Sequence, residues 1–316
     1  MHRAGQLDPA DVAALAARIG ENVALAVKVS EPTLRDVLVA LLAEGHVLVE
    51  DHPGVGKTAL VRAMARSIDA AYARIQCTSD LLPADVVGTN VFNQREARFE
   101  FRPGPVFANL VLVDEINRAP PKTQSGLLEC MQERHVTVDT VTHELARPFT
   151  VLATQNPIEY AGTYPLPENQ LDRFMVRVSL GYPSAAREVQ MFSEHSTGDR
   201  VLALDPVATV ADVLAAQDAA LRVHTSERLL RYVVSVLERI RSDPRVEFGA
   251  SPRAGLMLVK AAKARAALEG RDHALPDDVQ KLVPAVLAHR LLLAPNAGGV
   301  ARLDVLGDAL EKAPAL

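Results

Sequence analysis

The sequence predicts an α/β protein with a parallel five-stranded sheet, followed by a second domain made of helices alone. Three observations carry that expectation. Five short runs rich in aliphatic and β-branched residues recur between residues 46 and 180, with helical periodicity between them. A glycine-rich turn, DHPGVGKT, follows the first run directly. After residue 183 the strand-like runs stop, and Ala, Leu, Val, Arg and Glu recur at helical spacing.

Taken in order, an N-terminal helical segment reaches Ala43, and Ser30, Glu31 and Pro32 supply the cap, acid and proline of a first turn for its second helix. Candidate strands are HVLVE (46–50), YARIQ (72–76), LVLVD (110–114), FTVLAT (149–154) and FMVRVSL (174–180). Two inserts interrupt the alternation and are expected to project from the core. The first is GTNVFNQREARFEFRPGP, of alternating polarity, and the second is ERHVTVDTVTHELARPF, which reads as a hairpin. Gly181 and Pro183 break the pattern, giving a nucleotide-binding core over 1–183 and a helical domain over 184–316. Its helices are expected at 184–194, 208–221, 225–241, 252–269 and 276–292, with no strand.

Composition narrows the function. The 316 residues are 48 % hydrophobic, enough for a substantial core. The longest apolar stretch, VLVALLAEGHVLV, is broken by Glu44, Gly45 and His46, well short of the roughly 20 residues of a membrane helix. The first residues carry no apolar signal core, and Cys77 and Cys130 alone make no disulfide framework, so a cytoplasmic setting is expected. Nine histidines without H-E-x-x-H and two cysteines without C-x-x-C leave no zinc spacing, so a metal is expected to arrive with a nucleotide. The net charge of -5 gives no global reason to bind nucleic acid.

The turn after the first strand carries the chemistry. A phosphate loop must leave a buried strand, point successive backbone N–H groups at phosphates, and open a helix with its positive end facing them. Asp51, His52, Pro53, Gly54, Val55, Gly56, Lys57, Thr58 and Ala59 form the expected cradle. Gly54 and Gly56 allow backbone to approach phosphate, Lys57 reaches the outer phosphates, and the Thr58 hydroxyl is placed for Mg²⁺. Asp51 stands where the pattern has its first glycine, so it is expected to enter the left-handed region with its carboxylate turned from the phosphates. Leu60, Val61 and Met64 continue as an apolar helical stripe.

The third strand ends in Asp114 and Glu115, which is what phosphate-ester hydrolysis needs at the carboxyl end of a strand beside such a loop. Asp114 would hold Mg²⁺ and Glu115 would polarise the attacking water, favouring hydrolysis over transfer to a small substrate. The fourth strand runs out at Thr154, Gln155 and Asn156. An amide there can orient the lytic water or touch the outermost phosphate, and Asn before Pro is equally an ordinary turn signal.

Four blocks, Asp51–Thr58, LVLVDEINRAPPKTQSGLLECMQE, TQNPIEYAGTYPLPENQLDRF and SPRAGLMLVKAAKA, together resemble the MoxR family of AAA+ ATPases, and the likeness runs over essentially the whole chain. The resemblance implies a P-loop NTPase core of αβα type with strand order 5-1-4-3-2, a helical lid, a helix-2 insert and a pre-sensor-1 hairpin. It implies ATP and Mg²⁺ as cofactors, Lys57 and Thr58 as Walker A, Asp114 and Glu115 as Walker B, and Asn156 as sensor 1. Arg173 in QLDRF matches the arginine finger and Arg253 in SPRAG the sensor-2 arginine; Arg118 would face a neighbouring subunit. It further implies a hexameric ring acting on a protein client with a von Willebrand factor A domain partner, the alternative being a DNA-directed motor of the helicase-related clade. The segment KVSEPTLRD stands where family members more often carry Gly-Gln near the adenine, which leaves the base contacts open.

Overall fold

The computed structural model describes residues 7–51, 54–156, 163–181 and 200–313. Two N-terminal helices come first, α1 (Pro9–Ala26) and α2 (Glu31–Leu42). Asp8 caps α1 in a reciprocal box with Asp11, and Ser30 caps α2 by accepting the Thr33 N–H at 3.3 Å. The core then runs β1 (Val47–Glu50), α3 (Lys57–Ser67), β2 (Tyr72–Gln76), α4 (Pro83–Val87), hairpin β3 (Gly88–Asn93) and β4 (Arg98–Pro103), and β5 (Leu110–Asp114). It continues through α5 (Pro121–Glu133), hairpin β6 (His135–Val138) and β7 (Val141–Glu144), β8 (Thr150–Gln155), α6 (Glu168–Leu171) and β9 (Val176–Val178).

The sheet order is β2-β5-β8-β1-β9, all parallel. Counting only its five strands in chain order, this is 5-1-4-3-2, as the resemblance implied. Side-chain alternation divides the core between the two faces. Val47 and Val49 of β1 pack with α1, α2, α3 and the C-terminal helices, whereas Leu48 packs with Val111, Val113, Val151 and α5 on the other side. The two hairpins are joined to each other by Asn90 Nδ2 donating to Asp139 Oδ2 at 2.7 Å and by Phe101 stacked on His143, ring centres 3.9 Å apart.

The lid contains α7 (Val210–Arg222), α8 (Glu227–Arg241), α9 (Pro252–Leu268), α10 (Pro276–Leu287) and α11 (Arg302–Lys312). It departs from expectation in three places. The helix expected over 276–292 stops at Leu287 and tightens into a 3₁₀ turn over Ala288–Arg290, because the Arg290 guanidinium folds back on the Val286 carbonyl and reaches across to the core. Two short strands, β10 (Val246–Phe248) and β11 (Leu292–Leu293), pair antiparallel where none was expected, since the chain leaving that turn is extended and apolar. Helix α11 was also not anticipated. The expected helix at 184–194 and the boundary at 183 lie outside the described residues. The lid helices share one hydrophobic cluster with α1, α2 and α3, and buried Gln217 of α7 donates to the Leu41 carbonyl at 2.8 Å. Among the described residues no helix is long and apolar enough to cross a membrane.

Candidate active site

Strand β1 delivers the phosphate loop to the carboxyl end of the sheet. Gly54 and Gly56 have φ of +85° and +93°, where a side chain is strained, and a Cβ at either would meet open space. Helix α3 starts at Lys57 with Gly56 as its N-cap and no side chain capping its first turn, so those amides are free of side-chain acceptors. Lys57 Nζ donates to the Asp51 carbonyl at 3.0 Å. Thr58 lies in the same first turn, with Ala59 behind it and Val55 half-buried before it; His52 and Pro53 are outside the described residues.

Asp51 corrects one expectation. It is not among the positive-φ residues, so it does not replace glycine by entering the left-handed region. It is instead buried and acts through its carboxylate. Oδ1 accepts from Ser179 Oγ at 2.8 Å and from Gly181 N–H at 3.2 Å, and Oδ2 accepts a short bond from Leu180 N–H. Three donors at the exit of β9 thus fasten the root of the phosphate loop to the chain that leaves the core.

Strand β5 carries Asp114 and Glu115 to the same end. Glu115 adopts the left-handed conformation, φ 56° and ψ 54°, which turns the chain sharply out of the sheet. Thr154, at the end of β8, organises both acids: its Oγ1 donates to Asp114 Oδ1 at 2.7 Å and accepts from Glu115 N–H at 2.8 Å. Arg74 Nη2 donates to Asp114 Oδ2 at 2.6 Å, and Arg118 Nη1 pairs with Glu115 Oε2 at 2.9 Å. Because β8 lies between β5 and β1, the chain just beyond it sets Asn156 between the Glu115 turn and the phosphate loop. Sequence reasoning missed Thr154 and Arg74; a threonine at the end of a buried strand beside two acids was the available signal for the first, and Arg74 on β2 carried none.

The donor set fits a magnesium nucleotide: uncapped helix amides, a lysine, a hydroxyl at Thr58 and a carboxylate at Asp114 are hard, oxygen-based or anion-binding groups. Mg²⁺–ATP held there would supply the phosphoanhydride to be cleaved and the cation that offsets its charge. No thiol competes. Burial pushes Cys77 up to about 12, with Asp114 and Glu115 adding to the effect, and burial pushes Cys130 to about 12 as well. Among the described residues no cluster of three or more His, Cys, Asp or Glu could hold a metal by itself.

The two remaining arginines stand elsewhere. Arg173 precedes β9, and because Val47 is paired with Val176 it lies beyond the amino end of the sheet, while the phosphate loop follows the carboxyl end. Six positions, of which Val176–Val178 are strand, separate it from Ser179, which touches Asp51. Arg253 opens α9, two residues after Ser251, whose hydroxyl reaches Asp172 at 3.4 Å. The Asp172–Ser251 contact thus joins the turn that carries Arg173 to the start of the helix that carries Arg253.

A parallel 5-1-4-3-2 sheet with a phosphate loop after its first strand, two acids after its third and a helical lid define an AAA+ ATPase. A family model described as the ATPase family associated with various cellular activities matches residues 46–176, and one described as an AAA lid domain matches residues 238–305. The chain is 50 % identical over 260 residues to the uncharacterized protein YeaC of Bacillus subtilis, covering 82 % of this chain and 81 % of that protein. It is 43 % identical over 270 residues to Chaperone MoxR1 of Mycobacterium tuberculosis, covering 83 % and 71 %. The crystal structure of a candidate ATPase from Cytophaga hutchinsonii superposes with a TM-score of 0.90 at 36 % identity, over 96 % of this chain and 95 % of that one. The chain belongs to the MoxR family of AAA+ ATPases.

Proposed function

We propose that this ATPase works as a Mg²⁺-dependent ring, with a hexamer as the reading, in which each nucleotide is cleaved between two subunits to remodel a protein client. One subunit supplies Gly54 to Thr58 for the phosphates, Thr58 and Asp114 for the metal, Glu115 to polarise water and Asn156 to orient it. Its neighbour supplies Arg173 and, from the lid, Arg253. The observation that carries this reading is the position of Arg173, beyond the amino end of the sheet, while its own phosphate loop follows the carboxyl end. A guanidinium so placed stabilises charge on a phosphoryl group only across an interface.

The core over 1–183, the lid over 184–316 and a cytoplasmic setting belong to the same proposal, as does a von Willebrand factor A domain partner. Remodelling is supported by the relative named Chaperone MoxR1, and the net charge of -5 offers a DNA-directed motor no comparable support. Specific ATPase activity should rise with protein concentration through the assembly range seen by light scattering, and a mixture of Arg173→Ala with Lys57→Ala subunits should recover activity that neither has alone. Concentration-independent turnover by a monomer would overturn the ring. Co-purification of the Glu115→Gln variant from native cells with ATP present should retain the partner and client.

A further inference from the structure

The turn that carries Arg173 is gripped from the lid. Arg290, with a side chain only 2 % exposed, donates through Nε to Asp172 Oδ1 at 2.7 Å. Its Nη2 reaches the carbonyls of Asp172 and Phe174 at 3.2 and 2.6 Å, and its Nη1 reaches that of Met175 at 3.3 Å. The neighbouring His289 is buried, and burial holds it well below its ordinary range, so the ring is neutral. Its Nε2 faces the Phe174 carbonyl at 3.1 Å and must carry the proton, which leaves buried Nδ1 without a partner. The second oxygen of Asp172, Oδ2, accepts from Ser251, the N-cap of α9.

Both carboxylate oxygens of Asp172 are thus engaged by lid residues, 118 and 79 positions away in the chain. One neighbour of this carboxylate in sequence is Arg173. One neighbour of its partner Ser251, two residues on, is Arg253. A buried arginine carries a desolvation cost that an apolar side chain of similar volume would avoid, so stability alone does not account for the arrangement. What these bonds supply is fixed geometry between the turn that carries Arg173 and the start of the helix that carries Arg253.

We propose that Asp172 is a positioning residue that registers Arg173 of the core against Arg253 of the lid, so that the two guanidiniums are offered to the adjacent subunit's nucleotide as one preset unit. The inference rests on the reading that Arg173 acts across the interface, and it adds a consequence: any shift of the lid is passed through Arg290 and Ser251 to the arginine that serves the next site. Ion pairing at Asp172 sets where the cations stand and leaves the subunit's own phosphate loop untouched.

The test uses full-length subunits and Mg²⁺–ATP. Acceptor subunits carry Arg173→Ala and bind nucleotide; donor subunits carry Lys57→Ala and lend their arginines. A second donor adds Asp172→Asn, which keeps the size of the side chain and an oxygen to accept from Arg290, with its amide NH2 able to donate to Ser251 Oγ, and removes only the charge. At equal ratio and equal assembly by light scattering, the Asp172→Asn donor should restore kcat about tenfold to a hundredfold less than the Lys57→Ala donor, with the acceptor's KM for ATP unchanged, as expected for misplaced catalytic groups. Equal restoration by the two donors would overturn the positioning role while leaving the trans reading intact. Loss of activity in step with a lowered melting temperature or lost assembly would make Asp172 structural and would equally overturn it. If the Lys57→Ala donor itself restores nothing, the trans reading fails and this inference with it.

Discussion

The two ends of the parallel sheet are built on different plans. At the carboxyl end the contacts come from within the core: Lys57 bonds to Asp51 six positions away and Glu115 pairs with Arg118 three positions away, while Thr154 holds Asp114 and Glu115, and Ser179 to Gly181 hold Asp51, from farther along the core. At the amino end the turn bearing Arg173 is held by Arg290 and Ser251, far along the chain. The first end is assembled from segments of the core alone. The second exists only once the lid has closed on the core. The loop end is thus set by packing within the core, and the turn bearing Arg173 by packing between core and lid.

The sharpest way to break that contrast is to remove one cation from each end. Lys57→Ala should abolish ATP binding, measured by titration with a fluorescent nucleotide, whereas Arg173→Ala should bind nearly as wild type and lose about 10³- to 10⁵-fold in hydrolysis. Comparable loss of binding in both would erase the distinction. At the carboxyl end, Glu115→Gln should bind ATP normally and hydrolyse it about 10²- to 10⁴-fold more slowly, since only the proton-accepting role is lost. Thr154→Val is expected to act in the same direction and less strongly. It removes two hydrogen bonds that orient Asp114 and Glu115, each worth about 1 kcal/mol, so kcat should fall roughly tenfold or somewhat more with ATP affinity little changed. Unchanged kcat would mean that the acids hold their places without it.

Smaller effects should appear as stability. Asp51→Gly restores the usual loop glycine but strands the Ser179, Leu180 and Gly181 donors, so it should lower stability by about 1–3 kcal/mol in denaturant titrations while ATP affinity stays within a small factor of wild type. A stabilised variant would show that the β9 exit does not need this anchor.

At the seam between α2 and the lid, burial pushes Asp36 up to about 6 from 3.8, against the opposing pull of Arg265 and Arg35. Between those two values the unfolded chain sheds a proton that the folded one keeps, so wild-type stability falls as pH rises from about 4 to about 6 and then levels off. Asp36→Asn should therefore match wild type below pH 4 and exceed it by about 1–3 kcal/mol at pH 7, at about 1.4 kcal/mol per pKa unit. A stability difference independent of pH would remove Asp36 from that account.

Much of this architecture was readable in the residue order. All five core strands and the hairpin in the second insert fell where apolar runs and turn residues put them, because period and burial act over a few residues at a time. The first insert, read only as alternating in polarity, is a hairpin too. What misled the reading of Asp51 was its place in a motif. Its role comes from Ser179 to Gly181, 128 to 130 positions on, and no local rule distinguishes an aspartate that bends the chain from one that anchors a distant strand. Thr154 was seen as a strand end, and its grip on both acids followed only from β8 lying beside β5. The helix expected over 276–292 ends at Leu287, because Arg290 bonds to the Asp172 turn, a contact that helical spacing does not register.

By itself the sequence determined the phosphate loop, the paired acids and the alternation that makes the sheet, since each depends on contiguous residues whose spacing states their geometry. Tertiary structure alone decided that Asp51 is an anchor, that Thr154 aims the acids, and that the turn carrying Arg173 meets the start of the helix carrying Arg253. The physical reason is reach: a hydrogen bond acts over about 3 Å, so a contact between residues more than a hundred positions apart is specified by how the whole chain packs and by no pattern within either segment.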